Sequence, residues 1–182
     1  MEFNLKIMKL IRSVSCFAMS TLVLSLMMSC ISVSNITKTS GVEESYLSDI
    51  PKESKIIIVD KKNISADSLY EEIYTILLSR GHRISKDDKA RHYITTEGKG
   101  VGQSTIQRMT VVVTKNGNDS KMKITTEWKA GTEATATASS MSGMAIQSEW
   151  GPAKWEVNRL GIAFAESVAI ASKIRNGNIS YE

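Results

Sequence analysis

Residues 121–129 read Lys121-Met122-Lys123-Ile124-Thr125-Thr126-Glu127-Trp128-Lys129. Met122, Ile124, Thr126 and Trp128 fall on one side of an extended chain, and Lys121, Lys123, Thr125, Glu127 and Lys129 on the other. Side chains of a strand point alternately to its two faces, so this pattern predicts a half-buried antiparallel strand. Trp128 is then a core anchor, whose truncation should cost about 3–5 kcal/mol. Immediately upstream, Asn116-Gly117-Asn118-Asp119-Ser120 is a turn cluster. Residues 105–115 precede it, with Met109, Val111 and Val113 on one side, so the two segments read as a hairpin.

Working outward, Ile56-Ile57-Ile58-Val59 is a β-branched run without alternation, as expected of a strand covered on both faces. A helix follows. Ser65 is suited to cap its N-terminus, and Asp67 lies near the positive end of its dipole. Leu69, Ile73, Ile76 and Leu77 form one stripe, and Gly81 suits the left-handed residue past its end. Residues 82–96 read as a short hairpin with a polar turn at 85–89. Residues 131–151 shift to Gly, Ala, Thr, Ser and Met, and read as a flexible insertion. Pro152 suits the first turn of a helix running to Ile174, with Val157, Leu160, Phe164, Val168 and Ala171 at helical spacing. The expectation is an α+β fold, in the order β-α-β-β-β-β-α. It has an antiparallel sheet of four to five strands and two helices on one face.

The N-terminal residues bear on location. Lys6, Lys9 and Arg12 precede an apolar run from Cys16 to Met28, too short to span ~30 Å of hydrocarbon. Leu26-Met27-Met28-Ser29-Cys30 closes it. This resembles a bacterial lipoprotein signal peptide, in which the cysteine becomes the acylated first residue of the mature chain. The resemblance implies a signal at 1–29 and a lipidated Cys30. Residues 30–52, rich in Ser, Thr and Asn, then read as a flexible tether, and 53–182 as one domain. The expected place is the cell envelope, at the outer membrane facing the periplasm, because no Asp follows Cys30. The full chain carries net charge +4 and a pI near 9.0. Removing 1–29 leaves 20 basic against 18 acidic residues, a nearly neutral domain that argues against nucleic acid. Cys16 leaves with the signal, so the mature domain has neither a disulfide nor a free thiol.

The order of an amphipathic helix, then Leu77-Leu78-Ser79-Arg80-Gly81-His82-Arg83-Ile84, an acidic turn at Asp87-Asp88 and the strand Tyr93-Ile94-Thr95-Thr96 resembles BamC-type outer-membrane lipoproteins. It is also similar to small TATA-binding-protein-like or helix-grip lipoprotein domains. Such families imply scaffolds or partner-binding modules and supply no catalytic residue to carry over.

Motifs with chemistry are few. Gly98-Lys99-Gly100-Val101-Gly102 enters a strand rather than a helix, and Lys99 is followed by Gly rather than Ser or Thr, so it lacks the phosphate-loop pattern. His82 and His92 stand either side of the short hairpin, but without metal-ligand spacing. No Ser lies in a Gly-x-Ser-x-Gly turn. The expectations are therefore no catalysis, no metal and no cofactor. Met141, Met144, Ile146 and Trp150, adaptable apolar groups among small residues, are the candidate contact with a partner, most simply another envelope protein. The alternative is a carrier or sensor, with an apolar ligand held between the C-terminal helix and the sheet.

Overall fold

A computed structural model of the chain describes residues 32–102, 105–131, 149–158 and 161–182. The hairpin at its centre forms as the alternation requires. Strands β5 (Thr105–Asn116) and β6 (Asp119–Ala130) pair over their whole length, from Thr105 opposite Ala130 to Asn116 opposite Asp119. Around it lie β1 (Ile56–Lys61), β2 (Ile84–Asp88), β3 (Tyr93–Thr96), β4 (Lys99–Val101), β7 (Gly151–Pro152) and β8 (Gly177–Tyr181). They make one antiparallel sheet of order β2-β3-β5-β6-β1-β8, with β4 on β5 and β7 on β6. The α+β class and the antiparallel sheet agree with the sequence. The strand count does not, since eight strands form among the described residues instead of four to five.

The register aligns Ile94, Val111, Ile124, Ile57 and Tyr181 across five strands on one face. All but Tyr181 are fully buried there, with Met109, Val113, Met122 and Val59 beside them. Helix α3 (Ala66–Ser79) packs on this face through Leu69, Ile73 and Leu77. Its start is the one expected, with the Ser65 Oγ accepting from the Ser68 N–H at 3.1 Å. Its end is a Schellman turn. The Gly81 N–H (φ +76°) donates to Leu78 and the His82 N–H to Leu77.

Helix α4 (Gly161–Ala171) is the central helix, buried along nearly its whole circumference. One side meets the sheet, where Ala163 packs with Val101 and Trp128 and the Ser167 hydroxyl bonds that of Thr126 at 2.6 Å. The other side is covered by α1 (Val33–Ser40) and α2 (Ser45–Ser48), through Ile36 and Leu47. A helix apolar all round requires such double cover.

Three expectations are corrected. Residues 32–50 are not a tether: α1 and α2 belong to the fold, and Ile36, Val42, Leu47 and Ile50 are core residues. Four α-helices therefore stand among the described residues where two were expected. The last helix starts at Gly161 rather than Pro152, because Gly151 and Pro152 pair with Trp128 and Glu127 as β7. Proline is acceptable on a short edge strand, where its missing N–H costs no ladder bond. Trp128 is only half-buried, packing beside Val101, Ala153 and Ala163, so the full 3–5 kcal/mol does not belong to it.

Candidate functional site

The two faces of the sheet differ in chemistry. Opposite the helices, the register sets Tyr93, Val112, Lys123, Ile58 and Ser180 in one row, and Thr95, Thr110, Thr125 and Ile56 in the next. No described helix packs on this face. Its side chains are half-buried against one another, except for exposed Lys123 and Ser180 and the more deeply covered Ile58. Threonine and β-branched residues dominate, as suits a solvated strand surface.

Trp150 closes one end of this face. The Arg108 guanidinium carbon lies 4.4 Å from the centre of its ring and the Lys129 ammonium 4.9 Å, both within cation–π range. Arg108 is in turn paired to Glu127 at 2.7 Å across the β5–β6 ladder. Gly98 leaves the space the indole occupies. A Cβ there would stand 3.2 Å from the Trp150 Cη2 and 3.0 Å from the Ile106 Cγ2. Trp150 is thus oriented by two cations and a glycine while staying half-buried. Met141, Met144 and Ile146, expected to act with it, lie outside the described residues, as does Cys30. Arg108, Lys129 and Gly98 were not anticipated as its neighbours. A cation on each strand of a hairpin, two residues from the same face, was the legible hint.

A second cluster is buried. Glu166 on α4, with a side chain only 5% exposed, binds three basic groups. Arg80 reaches it with Nη2 at 2.7 Å and Nε at 3.3 Å, His82 with Nε2 at 3.2 Å, and Lys99 with Nζ at 3.1 Å. Burial alone would push the Glu166 carboxyl up. Hydrogen bonds from His82 and Arg80, with the charges of Arg80 and Lys99, outweigh it and hold the group at about 2. The same cations also serve helix ends: Arg80 donates to the Ser40 carbonyl at 2.7 Å, and Lys99 to the Arg80 carbonyl at 2.7 Å. Two helix C-termini and one carboxylate are thereby balanced by two fixed cations.

A carboxylate only accepts, so the proton of His82 is assigned to Nε2. Its Nδ1 is buried and finds no donor among the described residues, and neither does the Gln107 amide find partners. Charge closure of this kind holds a fold together. The signal for it was the single carboxylate inside the apolar run Gly161-Ile162-Ala163-Phe164-Ala165-Glu166-Ser167-Val168.

The two histidines do not face each other. His82 goes to Glu166, whereas His92 (φ +49°) pairs with Asp67 at 2.9 Å and sets its ring edge-on to Tyr70. Tyr70 donates to Asp87 at 3.3 Å, and burial followed by the Asp87 charge pushes its phenol up to about 12. Lys99, within the glycine-rich loop, is spent on Glu166. No helix among the described residues is long and apolar enough to cross a membrane.

No family model and no curated protein matches the chain. Among solved structures, a DUF4468 family protein from Bacteroides ovatus is similar at 14% identity. The match covers 74% of this chain and 98% of that one, with a TM-score of 0.37. A likeness of that degree carries no argument about function.

Proposed function

We propose that this chain is a lipid-anchored cell-envelope protein, held at the outer membrane through Cys30. The open face of its sheet, with Trp150 at one end, binds another envelope protein without catalysis. The observation that supports this reading is Trp150, a half-buried indole clamped by Arg108 and Lys129 on the face that no described helix covers. Large aromatic and arginine groups held rigid at a surface carry much of the energy of protein interfaces. The sequence of residues 16–30 supports the anchor. The ligand-carrier alternative has less behind it. Ala163 packs against Val101 and Trp128, and Phe164 against Tyr181, in the space between α4 and the sheet. A groove of about 240 Å³ lies elsewhere, along α2 and β8.

Crosslinking in membranes, read by mass spectrometry, tests the reading. One stoichiometric protein partner is expected, while co-purified lipid without one would favour the carrier. Trp150→Ala should weaken capture of that partner about tenfold or more. Stability should fall by only ~1–2 kcal/mol, since the ring is not fully buried and its cation contacts are individually modest. Gly98→Val should have the same effect on capture by dislodging the indole without removing it. Cys30→Ala should lose the acyl group and leave the membrane fraction. A variant that still pellets with membranes would mean that lipidation is not the tether.

A further inference from the structure

We propose that the folded domain is seated directly on the bilayer, with α1 held at headgroup level, rather than suspended from it on a flexible arm. This rests on the lipid-anchored reading above. Ser32 is already the N-cap of α1, its Oγ accepting from the Asn35 N–H at 3.3 Å. Only Ile31 separates it from Cys30. Two residue steps span at most about 7 Å even when fully extended.

The helix that begins there is fastened to the rest of the molecule. Ile36 is fully buried against the core and Ser40 is 3% exposed. The Ser40 carbonyl receives Arg80, which is itself held by Glu166. The cap residue therefore has a set position in the domain, and the lipid on Cys30 has almost no slack from it. Ser34, Asn35 and Lys38, exposed on α1, offer a hydroxyl, an amide and an ammonium. Those groups suit the polar headgroup layer and not the hydrocarbon beneath it. One consequence narrows the partner. A domain of this size is roughly 40 Å across, so its open sheet face can meet only a protein that itself lies within that distance of the membrane.

The test uses the acylated mature protein in phosphatidylethanolamine and phosphatidylglycerol vesicles carrying a nitroxide on their headgroups. With Cys16 removed and Cys30 acylated, Asn35→Cys gives the only thiol for a fluorescent label. Asn35 is exposed and its side chain makes no hydrogen bond among the described residues, so the fold should persist. A second protein carries about twenty Gly and Ser residues inserted between Ile31 and Ser32, an arm with a mean span of roughly 25 Å. The label at position 35 should be quenched in the native spacing and lose at least about half of that quenching in the extended protein. Equal quenching in the two, on a protein lacking Asn35→Cys that refuses the thiol label, would overturn the seating alone. If that protein takes up the label at Cys30 and no quenching is seen, the anchor itself is refuted and the seating with it.

Discussion

Replacing Glu166 with alanine is expected to destabilise the fold by about 3 kcal/mol, measured by urea unfolding at pH 7. The loss comes less from the missing attraction than from what stays behind. His82 is fully buried and would keep a donor with no acceptor. Arg80 and Lys99 are 22% and 30% exposed, so they can turn toward water, which places the cost at the low end for a broken buried ion pair. The Ser40 carbonyl would also lose the oriented guanidinium that fastens α1.

Acid provides an independent check. The Glu166 carboxyl lies at about 2 in the fold against an ordinary 4.5, so the unfolded chain takes up its proton first as pH falls. The stabilisation is therefore complete above pH 4.5 and is lost progressively between there and pH 2, on the order of 3 kcal/mol in all. Glu156, held at about 2 chiefly by a hydrogen bond from Lys154, titrates in the same window. Subtracting the profile of Glu166→Gln from that of the parent chain isolates Glu166. A stability difference that stays constant from pH 6 to pH 2 would refute the charge closure.

Phe164→Ala should cost about 3–5 kcal/mol, the largest loss expected from any single core truncation in this chain. Phe164 is fully buried, with its ring centre 6.3 Å from that of Trp155 and 6.4 Å from that of Tyr181. It ties the central helix to β8 and to the segment after β7 at once. Truncation leaves a void on the most enclosed element of the fold, where neighbours on both sides are already packed. Phe164→Leu should retain most of the stability. Trp128→Ala should cost distinctly less than Phe164→Ala, because Trp128 is half-buried near the end of β6. The reverse order in thermal or urea unfolding would mean that the hairpin end, not the central helix, is the centre of the core.

Local chemistry was enough for the hairpin and for α3. Lys121 to Lys129 alternate because each residue sees only which side of the pleat it is on, and the buried set matches that alternation up to Thr126. Ser65 and Gly81 act within one turn of α3, so their roles were legible without knowing what the helix packs against.

What lay beyond the sequence depends on partners distant along the chain. Val33-Ser34-Asn35-Ile36-Thr37-Lys38-Thr39-Ser40 is rich in weak helix formers, and it is helical because α4 exposes a second apolar side that must be covered. Gly177–Tyr181 becomes a strand because β1 offers it an open edge. Arg80, His82, Lys99 and Glu166 meet across as many as 86 positions of sequence. A buried charge tolerates no vacancy, so only the assembled fold could decide which cations answer the carboxylate. That same assembly placed Ser32 inside the domain and removed the slack that its polar composition had suggested.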